Sequence, residues 1–213
     1  MIADGRERFL HDCVVSRETV ERLDALVAIL EEWNNTINLV SRASLSDVWI
    51  RHILDCAQLY PLAPTDAKTW IDLGSGGGFP GLVIAALANE KNPSLHMTLV
   101  ESDSRKCAFL ASAALRMGLN VTTENRRIEG HGRRRFDVVS ARALARLPAL
   151  LALAEPYMNS DSVALFLKGS GADRELTEVL ETRHVSAMRI PSITDPNGVI
   201  LAIKGASRAK SGS

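Results

Sequence analysis

The sequence predicts an α/β fold: a mostly parallel sheet covered by helices on both faces, with a helical extension in front of it. Three observations carry that prediction. From Lys68 onward, short apolar runs alternate with helical periodicities, and repeated strand–helix units build parallel sheets. A glycine-rich turn, Gly74-Ser75-Gly76-Gly77-Gly78-Phe79-Pro80-Gly81, directly follows the first of those runs. Before Lys68, apolar residues recur at helical spacing.

In the extension, Val20, Leu23, Leu26, Val27, Leu30 and Trp33 mark one face of a helix, and Ser16 is placed to cap its start. A second helix is expected after Ser44, with Asp47 as capping-box partner. Its apolar face would hold Val48, Trp49, Ile53, Cys56 and Tyr60, and Pro61 and Pro64 would end it. The first strand is expected at residues 69–73, before the glycine turn and an alanine-rich helix from Leu82. Next come a strand at 95–101, a helix at 104–117 closed by Gly118, and strands at 120–123 and 136–140. A helix at 147–154, a strand at 163–168 and a helix at 173–183 follow. Residues 185–190 and 199–203 suit a terminal antiparallel pair, which makes seven strands. The chain therefore divides into an extension (1–66), an α/β core (67–204) and a flexible tail (205–213) rich in Ser, Gly, Ala and basic residues. Ligands of such sheets bind at the carboxyl ends of the strands, where strand order reverses. That rule singles out residues 73–79, Glu101, 125–129 and 140–142.

The 213 residues, 46% hydrophobic and 23% charged, are ordinary for a globular protein able to bury a proper core. No apolar run approaches a bilayer crossing, and the charged N-terminus is unlike a secretory signal. Cys13, Cys56 and Cys107 are too scattered for a disulfide framework or a zinc site and fit a reducing cytoplasm. The histidines show no metal-ligand spacing, so no metal is expected. Net charge is zero, yet seven arginines between Arg126 and Arg146 face two acids, Glu129 and Asp137. This stretch, with Arg133, Arg134 and Arg135 at its centre, reads either as a basic face for phosphate or as a solvated loop.

Glycines let a chain turn sharply and approach a ligand where a side chain would clash. The frame Gly76-x-Gly78-x-x-Gly81 formally satisfies the dinucleotide fingerprint, but it starts late after the strand, and Phe79 replaces the third glycine of the earlier frame. The fuller pattern from Asp72 resembles motif I of class I methyltransferases, where the turn wraps the methionine moiety of S-adenosyl-L-methionine. Glu101 ends the second strand, and a carboxylate there accepts both ribose hydroxyls of an adenosine, in NAD or S-adenosyl-L-methionine alike. Asp103 is the alternative acid.

At the fourth strand stands Ser140-Ala141-Arg142. Enzymes that methylate exocyclic amines of nucleic acids often carry Asp/Asn-Pro-Pro-aromatic here, and cytosine-C5 enzymes need a cysteine this region lacks. Guanine N7 has an in-plane lone pair and no proton, so positioning and electrostatics suffice for its methylation. Arg142 can donate two parallel hydrogen bonds to guanine, phosphate or carboxylate; its structural alternative is a salt bridge to Asp72 or Glu129. Arg51, His52 and Asp55 would share one face of an α-helix. That set is either an acid/base pair or a bridge between elements.

These pieces occur together and in one order: Trp33-Asn34, Asn38-Leu39, Arg51-His52-x-x-Asp55, Asp72-Leu73-Gly74-Ser75-Gly76-x-Gly78-Phe79-Pro80-Gly81, Ser140-Ala141-Arg142-Ala143 and Leu167-Lys168-Gly169. They resemble the ribosomal RNA small-subunit methyltransferase G family, also called glucose-inhibited division protein B, over roughly residues 26–204. The resemblance implies a Rossmann-like class I methyltransferase fold, S-adenosyl-L-methionine as cofactor, and N7-methylation of guanine 527 in the 530 loop of 16S ribosomal RNA. By position it implies cofactor contacts at Gly74, Phe79, Ile128, Glu129 and Arg142, beside Gly76, Gly78 and Glu101 read from the turn and strand. Glu101 stands where relatives often have Asp. Arg142, His52 and Asp55 are the candidate catalytic residues, with His52 and Asp55 placed to shape an RNA-facing mouth. The expected partner is 16S ribosomal RNA or a small-subunit particle, and the expected state is a cytoplasmic monomer without metal or membrane contact. Two rival readings share the glycine turn: an NAD-dependent oxidoreductase, and a nonenzymatic RNA-binding module on the same fold.

Overall fold

A computed structural model describes residues 2–130 and 134–208. The strands are β1 (Thr69–Leu73), β2 (His96–Glu101), β3 (Val121–Asn125), β4 (Val138–Arg142), β5 (Val163–Lys168), β6 (Arg183–Pro191) and β7 (Val199–Arg208). They lie in the order β3-β2-β1-β4-β5-β7-β6. β1 to β5 are parallel, and β7 pairs antiparallel with β5 and β6. The expected seven-stranded, mostly parallel sheet is therefore present. Its order reverses between β1 and β4, which puts a ligand crevice at their carboxyl ends.

Strand alternation splits the apolar residues onto two faces. Trp70, Met97, Leu99, Val138 and Leu165 enter one core with the N-terminal helices, α5 (Gly81–Lys91) and α6 (Ser104–Arg116). Ile71, Val100, Val139 and Phe166 enter the other, under α7 (Leu147–Ala154) and α8 (Ala172–Thr182). Every residue of α5 from Gly81 to Ala88 is buried. A helix apolar all round must be covered on both sides. Here the sheet covers one side and α2 (Arg17–Asn34) touches the other. The extension thus shares the main core and does not form a core of its own.

Ser16 caps α2, its hydroxyl accepting from the Thr19 N–H, and Thr19 in turn donates to Glu90 on α5 at 2.6 Å. α1 (Ile2–Asp12) is held to α2 by a two-pronged Arg6–Asp24 pair. The helix expected after Ser44 is corrected. Ser41, not Ser44, caps a four-residue α3 (Arg42–Leu45). The Ser44 and Ser46 hydroxyls bond the nearby carbonyls of Ser41 and Ala43, which competes with helix propagation. The chain then passes through a π-helical stretch (Trp49–Leu54), a single turn α4 (Asp55–Ala57) and a 3-10 turn (Tyr60–Leu62) that contains Pro61. The tail boundary is corrected too. β7 runs on to Arg208, paired with Arg183, so residues 205–208 are strand; residues 209–213 lie outside the described residues. Among the described residues no helix is long and apolar enough to cross a membrane.

Candidate active site

The turn after β1 hangs on β2: the Gly74 and Ser75 amides both donate to the Val100 carbonyl, at 2.9 and 3.0 Å. Asp72 is fully buried beneath it and accepts from Ser140 Oγ at 2.8 Å and the Gly81 amide at 3.2 Å. Burial pushes its carboxyl up to about 6, against the pull of the Ser140, Ser75 and Gly81 hydrogen bonds. Gly76 has a left-handed φ of +52°. A Cβ there would meet nothing nearer than the Gly74 carbonyl oxygen at 3.7 Å, an ordinary van der Waals contact, so no clash excludes it. At Gly78 a Cβ would lie 2.5 Å from Leu82 Cδ1, so that glycine is demanded by packing. The Gly76 amide donates to Glu101 Oε2 at 3.1 Å, and Glu101 Oε1 accepts the amides of Ser102 and Asp103. Glu101 is thereby oriented at the end of β2 with its carboxylate in the crevice. Asp103 instead caps α6 and pairs with Arg105, which holds its carboxyl below the usual range.

Gly74, Gly76, Glu101, Ile128, Glu129 and Arg142 line one cavity of about 430 Å³. Of the residues expected on the cofactor side, the structure places Gly78 and Phe79 elsewhere. Phe79 is 6% exposed and stacks on the His52 ring at 4.8 Å. A second cleft of about 470 Å³ lies beside the first, walled by Arg51 and Asp55, by Lys168 at the end of β5, and by Ser192, Thr194 and Asp195 of the β6–β7 loop. Arg142 and Ala143 line both cavities and form the partition between them. Ala143 has a left-handed φ of +51°, a costly conformation for a residue with a Cβ. Beyond it, Leu144 covers Gly74, and Lys168 braces the turn through the Ala145 carbonyl and Glu175.

The sequence alternatives for Arg142, Asp72 and Glu129, are both corrected. Arg142 Nη1 donates to His52 Nδ1 at 2.7 Å, and Nη2 donates to the Arg51 carbonyl at 2.6 Å and sits 3.4 Å from Asp55 Oδ2. The π-helix makes this arrangement. The Asp55 amide turns to the carbonyls of Ile50 and His52, and the Arg51 carbonyl receives Arg142. The α-helical spacing assumed for Arg51, His52 and Asp55 does not apply. Because Arg142 can only donate, His52 Nδ1 must be the acceptor and Nε2 carries the proton. That Nε2 is buried without a partner among the described residues. Burial and the Arg142 and Arg51 charges push the imidazole down to about 3. His52 is therefore neutral and lines neither cavity. Asp55 Oδ1 accepts from Thr194 Oγ1 at 2.6 Å and Ser192 Oγ at 3.3 Å, so its oxygens are divided between the β6–β7 loop and Arg142.

In the arginine-dense stretch, Arg134 pairs with Glu124 at 2.7 Å, Arg135 donates to the Pro156 carbonyl, and Arg133 lies outside the described residues. Several residues at the site went unseen in the sequence: Thr194, Ser192 and Gln58 of the loop contact, and Tyr157, whose hydroxyl reaches the Ile128 carbonyl. Each acts across a long sequence separation, and no local pattern marks it.

A family model described as rRNA small subunit methyltransferase G matches residues 19–194. A ribosomal RNA small subunit methyltransferase G from Ruegeria sp. is 46% identical over 207 residues, covering 97% of this chain and 100% of the relative. One from Parvibaculum lavamentivorans is 49% identical over 193 residues, covering 90% and 85%. Among solved structures, a methyltransferase from Geobacter sulfurreducens superimposes with a TM-score of 0.60 at 16% identity, covering 93% of this chain and 96% of that one, a likeness of fold alone.

Proposed function

The chain belongs to the rRNA small subunit methyltransferase G family, and from that premise we propose that it methylates N7 of guanine 527 in the 530 loop of 16S ribosomal RNA, using S-adenosyl-L-methionine. Membership sets aside the nicotinamide-dependent oxidoreductase. The residues of the first cavity fit the cofactor, because Gly76 keeps open a space that a Cβ would enter. Gly74 and Gly76 would flank its methionine end, Glu101 its ribose, and Ile128 and Glu129 its adenine. When bound, the cofactor supplies a methyl group on a positively charged sulfur. The second cleft would admit the guanine, with Arg142 and Ala143 bordering the junction where base and methyl group meet.

One observation carries the choice of N7. The titratable groups that contact Arg142, namely His52, Asp55 and Cys56, are not set up as bases: His52 is buried and its Nδ1 accepts from Arg142, Asp55 accepts from Thr194, Ser192 and Arg142, and full burial pushes the Cys56 thiol up. Guanine N7 carries an in-plane lone pair and no proton to remove, so the chain has only to orient the base and exclude water. Arg142 is the residue at the reacting centre, and His52 and Asp55 are its supports.

The test is transfer of labelled methyl to 16S ribosomal RNA, followed by nucleoside analysis and mapping of the modified position. Label in N7-methylguanosine at position 527 is expected. Label in another nucleoside overturns the N7 assignment. Tight S-adenosylhomocysteine binding with no transfer to RNA or to small-subunit particles would point to the nonenzymatic module.

A further inference from the structure

The wall of the cofactor cavity opposite the glycine turn is a single 3-10 turn, Ile128–Gly130, just past the end of β3. A turn that short has no hydrogen-bond ladder to make it rigid. The Arg126 amide bonds the Glu101 carbonyl at 2.9 Å and ties down only the start of the loop. The turn itself is held from behind. Tyr157 Oη donates to the Ile128 carbonyl at 2.6 Å and accepts from Arg126 Nη1 at 2.8 Å. Arg126 closes on Glu124 Oε2 through Nε at 2.7 Å and Nη2 at 2.6 Å, and its guanidinium lies over the Tyr157 ring. Arg134 takes the other Glu124 oxygen.

Tyr157 is fixed independently of the site. It is 1% exposed, packs against Phe136 within the α7–α8 core, and its carbonyl accepts the Phe136 amide at 2.9 Å. A buried tyrosine with a satisfied hydroxyl is common in cores. This one differs in where the hydroxyl points: to the carbonyl of a residue in the cavity wall, with a nearly buried arginine as its donor. We propose that Tyr157 is a positioning residue for the cofactor. With Arg126, it clamps the turn that carries Ile128 and Glu129 and so pre-forms the adenine side of the cavity. The inference rests on the reading of that cavity as the S-adenosyl-L-methionine site. It also assigns Arg126 to the cavity wall and not to RNA phosphate, with Arg134 paired to the same Glu124.

Tyr157→Phe keeps the ring and the core and removes the hydroxyl. The loss of one part-buried hydrogen bond to the Ile128 carbonyl is expected to weaken S-adenosylhomocysteine binding about tenfold. KM for the cofactor should rise, while KM for RNA and kcat at saturating cofactor stay near wild type. Amide hydrogen exchange at residues 127–130 should quicken and be slowed again by bound S-adenosylhomocysteine. A merely structural tyrosine would lower Tm and leave affinity and local exchange unchanged, and that result overturns the proposal. If Tyr157→Phe does not fold, Glu124→Gln, which loosens Arg126 from outside the cavity, is measured in its place with the same expectations and the same refutation. If the wild-type chain itself fails to bind S-adenosylhomocysteine, the functional reading falls, and the positioning role falls with it even where the exchange data still reveal the clamp.

Discussion

Gly76→Ala is expected to leave the fold standing and to strip the chain of its cofactor. The left-handed φ of +52° is the only conformational demand on the folded protein at this position, since the nearest atom to a Cβ is the Gly74 carbonyl oxygen at 3.7 Å. Holding a non-glycine residue there costs about 1–2 kcal/mol, and each kcal/mol lowers Tm by roughly 2–4 °C in a chain of this size. The added methyl would enter the cavity, and displacement or reorientation of the ligand should weaken S-adenosylhomocysteine by more than about tenfold, or 1.4 kcal/mol. Gly81→Ala is the matched control. Its Cβ would lie 2.3 Å from Leu99 Cδ2 and 2.9 Å from Asp72 Oδ2, inside the core and away from the cavity. Overpacking of that kind costs about 1–3 kcal/mol or more, so its Tm should fall further than that of Gly76→Ala. Thermal melts and calorimetry with S-adenosylhomocysteine check both. Near-normal affinity in folded Gly76→Ala would refute the assignment of the cavity, and a Gly81→Ala more stable than Gly76→Ala would refute the packing argument.

Arg142→Lys should cost methyl transfer at least about tenfold, because a point charge cannot serve His52, the Arg51 carbonyl and Asp55 together; full activity at an unchanged Tm would show the fork is dispensable. Thr194→Val removes the 2.6 Å bond to Asp55 without touching Arg142, so KM for RNA should rise about tenfold or more, roughly the value of one charged hydrogen bond, while cofactor affinity holds; a loss of cofactor affinity instead would place the loop on the wrong cavity. Asp72 and His52 pull stability in opposite directions. Asp72 is raised from 3.8 to about 6, so the folded chain holds a proton that the unfolded chain has released, and stability falls as pH rises through that window. His52 is lowered from 6.5 to about 3, so its contribution rises with pH from about 3 to 6.5. Each slope is at most about 1.4 kcal/mol per pH unit, and Asp72→Asn should expose the His52 slope as urea stability that climbs from pH 4 to 6 more steeply than wild type; a shallower climb would contradict these assignments.

What was legible in the sequence was legible because it is local. Ser16 caps α2 as expected, since a cap needs only its own N–H three residues on. The seven strands and the helices between them follow from periodicities that any window displays, and the glycine turn declares itself because left-handed φ values exclude most other residues. Glu101 is found at the strand end where the switch-point rule puts it. The helix expected after Ser44 is not the one formed because an apolar stripe does not record whether the backbone closes i to i+4 or i to i+5, and Ser44 and Ser46 compete for nearby carbonyls.

By itself the sequence determined the sheet, the turn and the family, since propensity, periodicity and motif order are properties of neighbours along the chain. The tertiary structure decided who meets whom. It brought Arg142 to His52 across 90 residues and Thr194 to Asp55 across 139, divided the crevice into two cavities at Ala143, and buried Phe79 that motif order had placed beside the cofactor. It paired Arg126 and Arg134 with Glu124, where charge counting along the chain sees only a basic stretch. The physical reason is the same in each case: a long side chain takes the partner that desolvation and packing leave within reach, and that partner is set by how the layers stack.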